Sequence, residues 1–268
     1  MSDGVSASDQ LSESVTLTRP REHVALVTID RPEARNAVNV TVVQGLARAV
    51  DMTESDVDTW VTIITGAGGK AFCAGADLKE VAAGRIMSLR TEQGGFAGFT
   101  HRPRAKPWIA AVEGYAVGGG FEIALACDMI VASDISVFGL PEPKRGLIAA
   151  AGGVYRLPRV LPRHIALELI ATGAELSATR AHELGMMNRL TRPGEAVEAA
   201  VALAAAICAC APIAVSESLK VARAAMDFDD ATLKQMSVKA TERNSQTADY
   251  KEGPIAFLEK RAPKWTGH

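Results

Sequence analysis

The sequence is poor in the residues that build metal sites and covalent frameworks. Its 268 residues include four cysteines and five histidines. Cys73 and Cys127 sit in apolar strand or helix contexts. Cys208 and Cys210 are two apart on an expected helix, so they point in different directions and do not clamp one metal. Buried free thiols in a reducing compartment are the expectation. His23, His101, His164, His182 and His268 show no ligand spacing, and no G-x-S-x-G serine accompanies them. A metal enzyme and a serine hydrolase are thereby disfavoured. Charge excess is lacking too. The 29 basic and 31 acidic side chains nearly cancel, and nothing draws the chain to nucleic acid or an anionic membrane. The polar, slightly acidic stretch 1–14 is the opposite of a secretory or transit leader, so the expected location is cytoplasmic and the expected structure there a disordered tail. The longest apolar run, Ala196–Val215, is mostly alanine, contains Glu198 and is cut by Pro212, and reads as a packed helix rather than a membrane span.

Strands and helices alternate through the first two thirds of the chain. Val15–Thr18 and Val24–Ile29 read as a hairpin, the second run apolar on both faces as a buried strand is. Asn39 is the expected N-cap of an amphipathic helix carrying Val43, Leu46 and Val50 at i, i+3 and i+7. Trp60–Thr65 is the next buried strand. The following Gly66-Ala67-Gly68-Gly69-Lys70-Ala71 loosely matches a dinucleotide fingerprint, but no helix opens directly after it. Lys70 is followed by Ala71, which excludes a P-loop. Ala74-Gly75-Ala76-Asp77-Leu78 is more telling, because small residues admit a ligand to the backbone and a short helix is expected from Asp77. Residues 84–106, mixed and rich in glycine and arginine, are expected to form a partly helical, mobile cover. Met129–Ala132, Ser136–Phe138 and Met187–Leu190 are short strands. Ser177 is expected to cap a helix that Gly185 closes, and Gly173 closes the one before it. Beyond about Pro193 only helices remain, near 195–210, 213–226, 229–244 and 247–259. The expected units are a tail at 1–14, a core at 15–194 and a helical region at 195–268 that packs on a neighbour.

The chemistry gathers in Trp108–Glu142. An apolar strand (Trp108–Val112) leads to Gly118-Gly119-Gly120, where an apolar helix starts with Glu122 in its first turn. Glu142 follows Gly139 and Pro141. Glycines at a helix start leave backbone N–H groups pointing at a ligand, and carboxylates beside them suit chemistry on a polarised carbonyl. Each feature also has a plain structural reading. Glu122 could complement the helix dipole, Glu142 could be a solvated loop acid, and Arg35 could be a surface arginine rather than a phosphate contact.

Taken in order, R-P-E-A-R-N-A, I-T-G-A-G-G-K-A-F-C-A-G-A-D-L-K-E, A-A-V-E-G-Y-A-V-G-G-G-F-E-I-A-L-A-C-D, F-G-L-P-E-P-K-R-G with A-G-G after it, and E-G-P-I-A-F-L-E-K-R resemble the enoyl-CoA hydratase/isomerase (crotonase) superfamily over residues 15–262. The resemblance implies an α/β fold, a spiral of ββα units with a C-terminal all-helical oligomerisation region that assembles trimers or hexamers. It implies a coenzyme A thioester substrate and no metal or redox cofactor. Ala76 and Gly119 match the family's two backbone donors to the thioester oxygen, and Glu122 and Glu142 its two catalytic glutamates. Ala74, Asp77, Leu78, Arg35 and Leu140 are the matching candidates for substrate contact. Retention of both glutamates leans toward hydration or dehydration. Leu140 replaces a glutamine common in short-chain hydratases and brings L-P-E closer to carnitinyl-CoA dehydratase-like members. Ala149 and Ala150 stand where Pro-Gly is usual, and both departures bear on the acyl group. The expected activity is a 2-enoyl-CoA hydratase. A carnitinyl-CoA dehydratase, an enoyl-CoA isomerase and a non-catalytic acyl-CoA-binding protein are the alternatives.

Overall fold

The computed structural model describes residues 8–268. Residues 1–7 of the expected tail lie outside the described residues. Asp9–Ser12 is a correction to it, because it pairs as strand β1 along β2 (Val15–Arg21). Leu11 is the reason: it is buried in the main core. β2 and β3 (Val24–Ile29) form the expected antiparallel hairpin. α1 (Val40–Ser55) follows, with Asn39 Oδ1 accepting the Val42 N–H at 3.0 Å.

Three consecutive turns then repeat one pattern. β4 (Val61–Gly66) leads to β5 (Ala71–Cys73) and α2 (Leu78–Ala82). The cover segment, with the short ribbon β6 (Arg90–Thr91) and β7 (Gly95–Phe96), is inserted before the next turn. β8 (Trp108–Val112) leads to β9 (Tyr115–Val117) and α3 (Gly119–Ala126). β10 (Met129–Ser133) leads to β11 (Val137–Gly139) and, after a 3-10 turn at Glu142–Arg145, to α4 (Gly153–Val160). The first strand of each turn joins a seven-stranded sheet, β1-β2-β3-β4-β8-β10-β13, parallel from β3 onward. The second strands form a smaller sheet, β12-β11-β9-β5, in which β5, β9 and β11 run parallel. The chain is therefore a spiral of ββα turns. α5 (Arg163–Thr172), β12 (Glu175–Ser177), α6 (Ala178–Glu183) and β13 (Arg189–Thr191) complete it. Gly173 and Gly185 end their helices with positive φ, and Ser177 Oγ accepts the Arg180 N–H at 3.3 Å.

The continuous apolar strands are explained by burial on both faces. Ile63, Ile109, Ala111 and Val131 face one core cluster, and Ile64, Ala110, Val112 and Ala132 face the other. α7 (Ala196–Cys208) covers the first of these through Ala200 and Ala204. The all-helical region thus begins inside the core, and the shift in composition near 195 is not a break in packing. α8 (Pro212–Ala224), α9 (Asp230–Ser245) and α10 (Ala248–Leu258) extend beyond it. Arg223 fastens α8 to the spiral through both oxygens of Asp128, at 2.6 and 2.8 Å. Among the described residues no single helix is long and apolar enough to cross a membrane. Cys73 is buried, Cys127 and Cys208 are half-buried, and Cys210 is exposed, which corrects the expectation of four buried thiols. Burial pushes the Cys73 and Cys127 thiols up to about 12, so neither is a nucleophile at neutral pH.

The cover segment is packed rather than draped. Leu89, Ala97 and Phe99 are fully buried, and Arg104 stacks on Phe99 with its guanidinium carbon 4.1 Å from the ring centroid.

Close contact of α3 with β5 fixes the spiral at the point where chemistry is expected. A Cβ at Gly120 would fall 1.9 Å from the Cys73 carbonyl oxygen, so backbone would have to move to admit one. Gly120→Ala should cost at least ~2 kcal/mol and lower the melting temperature by more than ~4 °C. An unchanged melting curve would show that this contact is not tight in solution.

Candidate active site

Three neighbouring parallel strands of the small sheet, β5, β9 and β11, end at one cleft of about 360 Å³. The loop after β5 contributes Ala74, Gly75 and Ala76, the turn after β9 contributes Gly118 and Gly119, and the segment after β11 contributes Pro141 and Glu142. Glu122 reaches the same cleft from the first turn of α3.

The two backbone donors are arranged by ordinary loop chemistry. Val38 pairs with the β5 loop through Val38 N–H to Gly75 O and Asp77 N–H to Val38 O, and the Ala76 N–H takes no part in that pair. Gly119 opens α3, so its N–H has no acceptor within the helix. Gly75 brings the two together. Its φ is +85°, and a Cβ there would stand 2.9 Å from the Gly119 nitrogen. Only glycine permits both the left-handed backbone and that approach. Phe96 closes the other side of Gly119, where a Cβ would meet the ring at 2.4 Å.

The two carboxyl groups sit differently. Glu122 is 3% exposed, and its Oε1 accepts the Gly153 N–H at 2.8 Å from the start of α4. Burial, with a smaller contribution from the nearby Glu142 charge, pushes its carboxyl up to about 7. Glu142 is half-buried and is also raised by burial, while the Arg145 cation acts in the opposite direction. Its Oε1 borders Gly118, 3.2 Å from where a Cβ would stand. Its Oε2 is shut off from solvent and accepts no hydrogen bond among the described residues. Arg156 stands behind Glu122. It donates to Ala151 O at 3.0 Å and to Thr100 O at 2.6 Å, tying the cover segment to the loop that holds Glu122.

Glu122 links the site to stability. Its ordinary value of 4.5 lies below the folded value of about 7. Below 4.5 folded and unfolded chains are both protonated and the carboxyl costs nothing extra. Between the two values the folded chain retains a proton that the unfolded chain releases, so stability falls as pH rises. Above about pH 7 the penalty is complete, roughly 3 kcal/mol. Glu122→Gln keeps an oxygen for Gly153 and removes the charge. It should melt above the parent protein at pH 8 and close to it at pH 5. A variant that melts lower at pH 8 would contradict this.

The candidates read from sequence divide on the structure. Ala76, Gly119, Glu122, Glu142, Ala74 and Leu78 line the cleft. Asp77, Arg35 and Leu140 do not. The Asp77 side chain accepts the Lys79 N–H at 3.0 Å as cap of α2 and pairs with Arg31 at 3.2 Å, so it fixes the Ala76 loop from behind. Arg35 is exposed at a left-handed turn, and only its carbonyl touches the loop, accepting the Ala74 N–H at 3.0 Å. Leu140 is 1% exposed and packs under Gly153, against which a Cβ would collide at 2.9 Å. Asn36 and Gly153 were missed. Buried Asn36 donates to Ala67 O and Ala71 O at 2.9 and 2.7 Å and accepts the Arg31 N–H, tying the loop after β3 to the turn before β5 and to the start of β5. The paired glycines 152–153, at a helix start like Gly118–Gly120, were the available signal for Gly153.

The model of the enoyl-CoA hydratase/isomerase family matches residues 19–268. The chain belongs to that family. A carnitinyl-CoA dehydratase of Salmonella arizonae is 40% identical over 96% of this chain and all of its own length. The crystal structure of an enoyl-CoA hydratase from Mycobacterium tuberculosis superposes with a TM-score of 0.91 at 47% identity, covering 95% of this chain and 99% of its own. That of a carnitinyl-CoA hydratase from Mycobacterium avium gives 0.75 at 44% identity, covering 96% and 99%.

Proposed function

We propose that this chain adds water reversibly across the double bond of a 2-enoyl-CoA thioester. The observation that carries the reading is the convergence on one cleft of two backbone N–H groups without an acceptor among the described residues, one buried carboxyl and one half-buried carboxyl. The thioester oxygen lies between the Ala76 and Gly119 N–H groups, where the enolate-like charge of the addition collects. One such donor is typically worth ~3–4 kcal/mol of barrier. Burial raises both carboxyls and the Glu142 charge further opposes ionisation of Glu122, so double ionisation is disfavoured and the addition runs from the form with the proton on Glu142. Glu142 borders Gly118, next to the donor at Gly119, and so stands beside the α carbon, to which it delivers a proton. Glu122, deeper and held by Gly153, takes a proton from the attacking water. Coenzyme A is part of the substrate, and the addition requires no electron transfer.

The test is the mass of the product. Crotonyl-CoA incubated with the protein should gain the mass of one water. An unchanged mass with a shifted double bond would replace this reading with isomerisation, and unchanged substrate over a panel of enoyl thioesters would favour a binding role. We also propose that several copies assemble through the C-terminal helices and that the protein is cytoplasmic. Assembly is supported by Phe257 and Leu258 on α10, which are 83% and 78% exposed. A monomer by light scattering would overturn the assembly.

A further inference from the structure

The cleft beyond the two glutamates carries a charge pattern that bears on the acyl group. From the thioester oxygen at Ala76 and Gly119, an acyl chain passes between Glu122 and Glu142. Two further segments line the same cleft, one with Met87 and Arg90 and the other with Arg145 and Ile148. Each wall is apolar except for its arginine. Neighbouring arginines have carboxylate partners: Arg31 pairs with Asp77 at 3.2 Å and Arg85 with Glu80 at 2.7 Å. Arg90 and Arg145 form no ion pair within 4 Å among the described residues; Arg145 makes a long contact of 3.5 Å to its own turn at Pro141 O, and its charge acts on Glu142 from farther off. Both are exposed and line the cleft. Among the described residues, the acids lining the cleft are Glu122 and Glu142. Phe96 is the one aromatic residue among the lining residues, and its ring lies against Gly119. The site thus has neither the aromatic cage nor the anionic wall that holds a quaternary ammonium group.

From these wall residues we infer that the acyl group ends in an uncharged or carboxylate-bearing terminus and that a trimethylammonium terminus is disfavoured. The inference rests on the acyl-CoA reading above and deepens it. It separates this chain from its relatives named for carnitinyl-CoA, a thioester whose acyl group is a quaternary ammonium. The two unpaired guanidinium groups repel such a cation, and their geometry suits a carboxylate.

Binding of three saturated thioesters tests it without requiring turnover. Butyryl-CoA, glutaryl-CoA and 4-trimethylammoniobutyryl-CoA share the coenzyme and differ in the charge of the terminus. By calorimetry, the trimethylammonio thioester should bind about tenfold or more weaker than butyryl-CoA, and glutaryl-CoA at least as tightly as butyryl-CoA. Replacing both arginines, Arg90→Met with Arg145→Met, should bring the three affinities within about threefold of one another. Equal or tighter binding of the trimethylammonio thioester by the parent protein would overturn the inference. So would an equal loss of all three affinities in the double variant, which would assign the arginines to the coenzyme instead. Failure of the acyl-CoA reading looks different, because the parent protein would then bind none of the three. Failure of the hydration chemistry alone would leave the binding order intact while enoyl thioesters stayed unchanged.

Discussion

Glu142→Gln should lower kcat for an enoyl-CoA substrate by about 10³-fold or more and leave the affinity for butyryl-CoA within about threefold. The expected size follows from the group's position. Glu142 stands against Gly118 and its Oε2 has no protein partner among the described residues, so little of the fold depends on its charge. Glutamine has nearly the same shape and fills the same space between Pro141 and the cleft. It cannot supply a proton to carbon, so the chemical step loses its acid while the apolar walls and the two N–H donors still hold the thioester. Steady-state kinetics on an enoyl thioester and calorimetry with the saturated one separate the two effects. A variant with near-parental kcat would remove Glu142 from the chemistry.

The second large effect concerns a hydrogen-bond donor that belongs to the backbone. Deleting the Ala76 N–H should reduce kcat by about 10²–10³-fold with little change in KM, because the donor acts on charge that develops only in the transition state. Ala76→Pro deletes it, but proline also restricts Gly75, whose left-handed φ of +85° the loop requires. An ester in place of the Gly75–Ala76 amide, introduced by incorporating the α-hydroxy analogue of alanine, removes the same N–H without that restriction. The Val38–Gly75 and Asp77–Val38 bonds that hold the loop do not use this N–H, but the first accepts on the carbonyl that becomes an ester and is weakened, so the ester variant should melt a little below the parent protein and still be folded. A loss confined to KM in the ester variant would contradict the transition-state role.

The strands were legible because both faces of the large sheet are covered. Trp108–Val112 reads as an unbroken apolar run, and Val24–Ile29 as one interrupted only by Thr28, for the same reason that α7 packs on one side of them and the rest of the core on the other. Caps were legible where the chemistry is local, as at Asn39 and Ser177. The site was legible at its glycines and its two glutamates, because close backbone approach leaves few residue choices. What sequence could not separate was which polar neighbour faces the ligand. Asp77 sits one residue from a donor, yet its carboxylate turns back to Arg31 and the helix cap. Arg35 and Arg31 lie in the same motif, and a left-handed turn sends the first outward while the second is drawn to Asp77. Leu140 lies two residues before Glu142 but alternates away from the cleft into the core. The cover segment was the least legible part. Its buried Leu89, Ala97 and Phe99 are spaced by turns and a two-residue ribbon, which leave no helical or strand period.

Crotonyl-CoA mixed with the purified protein and followed by ultraviolet absorbance tests the central claim most directly, since the conjugated enoyl thioester absorbs and its hydrated product does not. The account predicts a rapid fall to a stable equilibrium, and a return to the same level when the reaction is started from 3-hydroxybutyryl-CoA. Constant absorbance from both directions, with crotonyl-CoA bound by calorimetry, would contradict it.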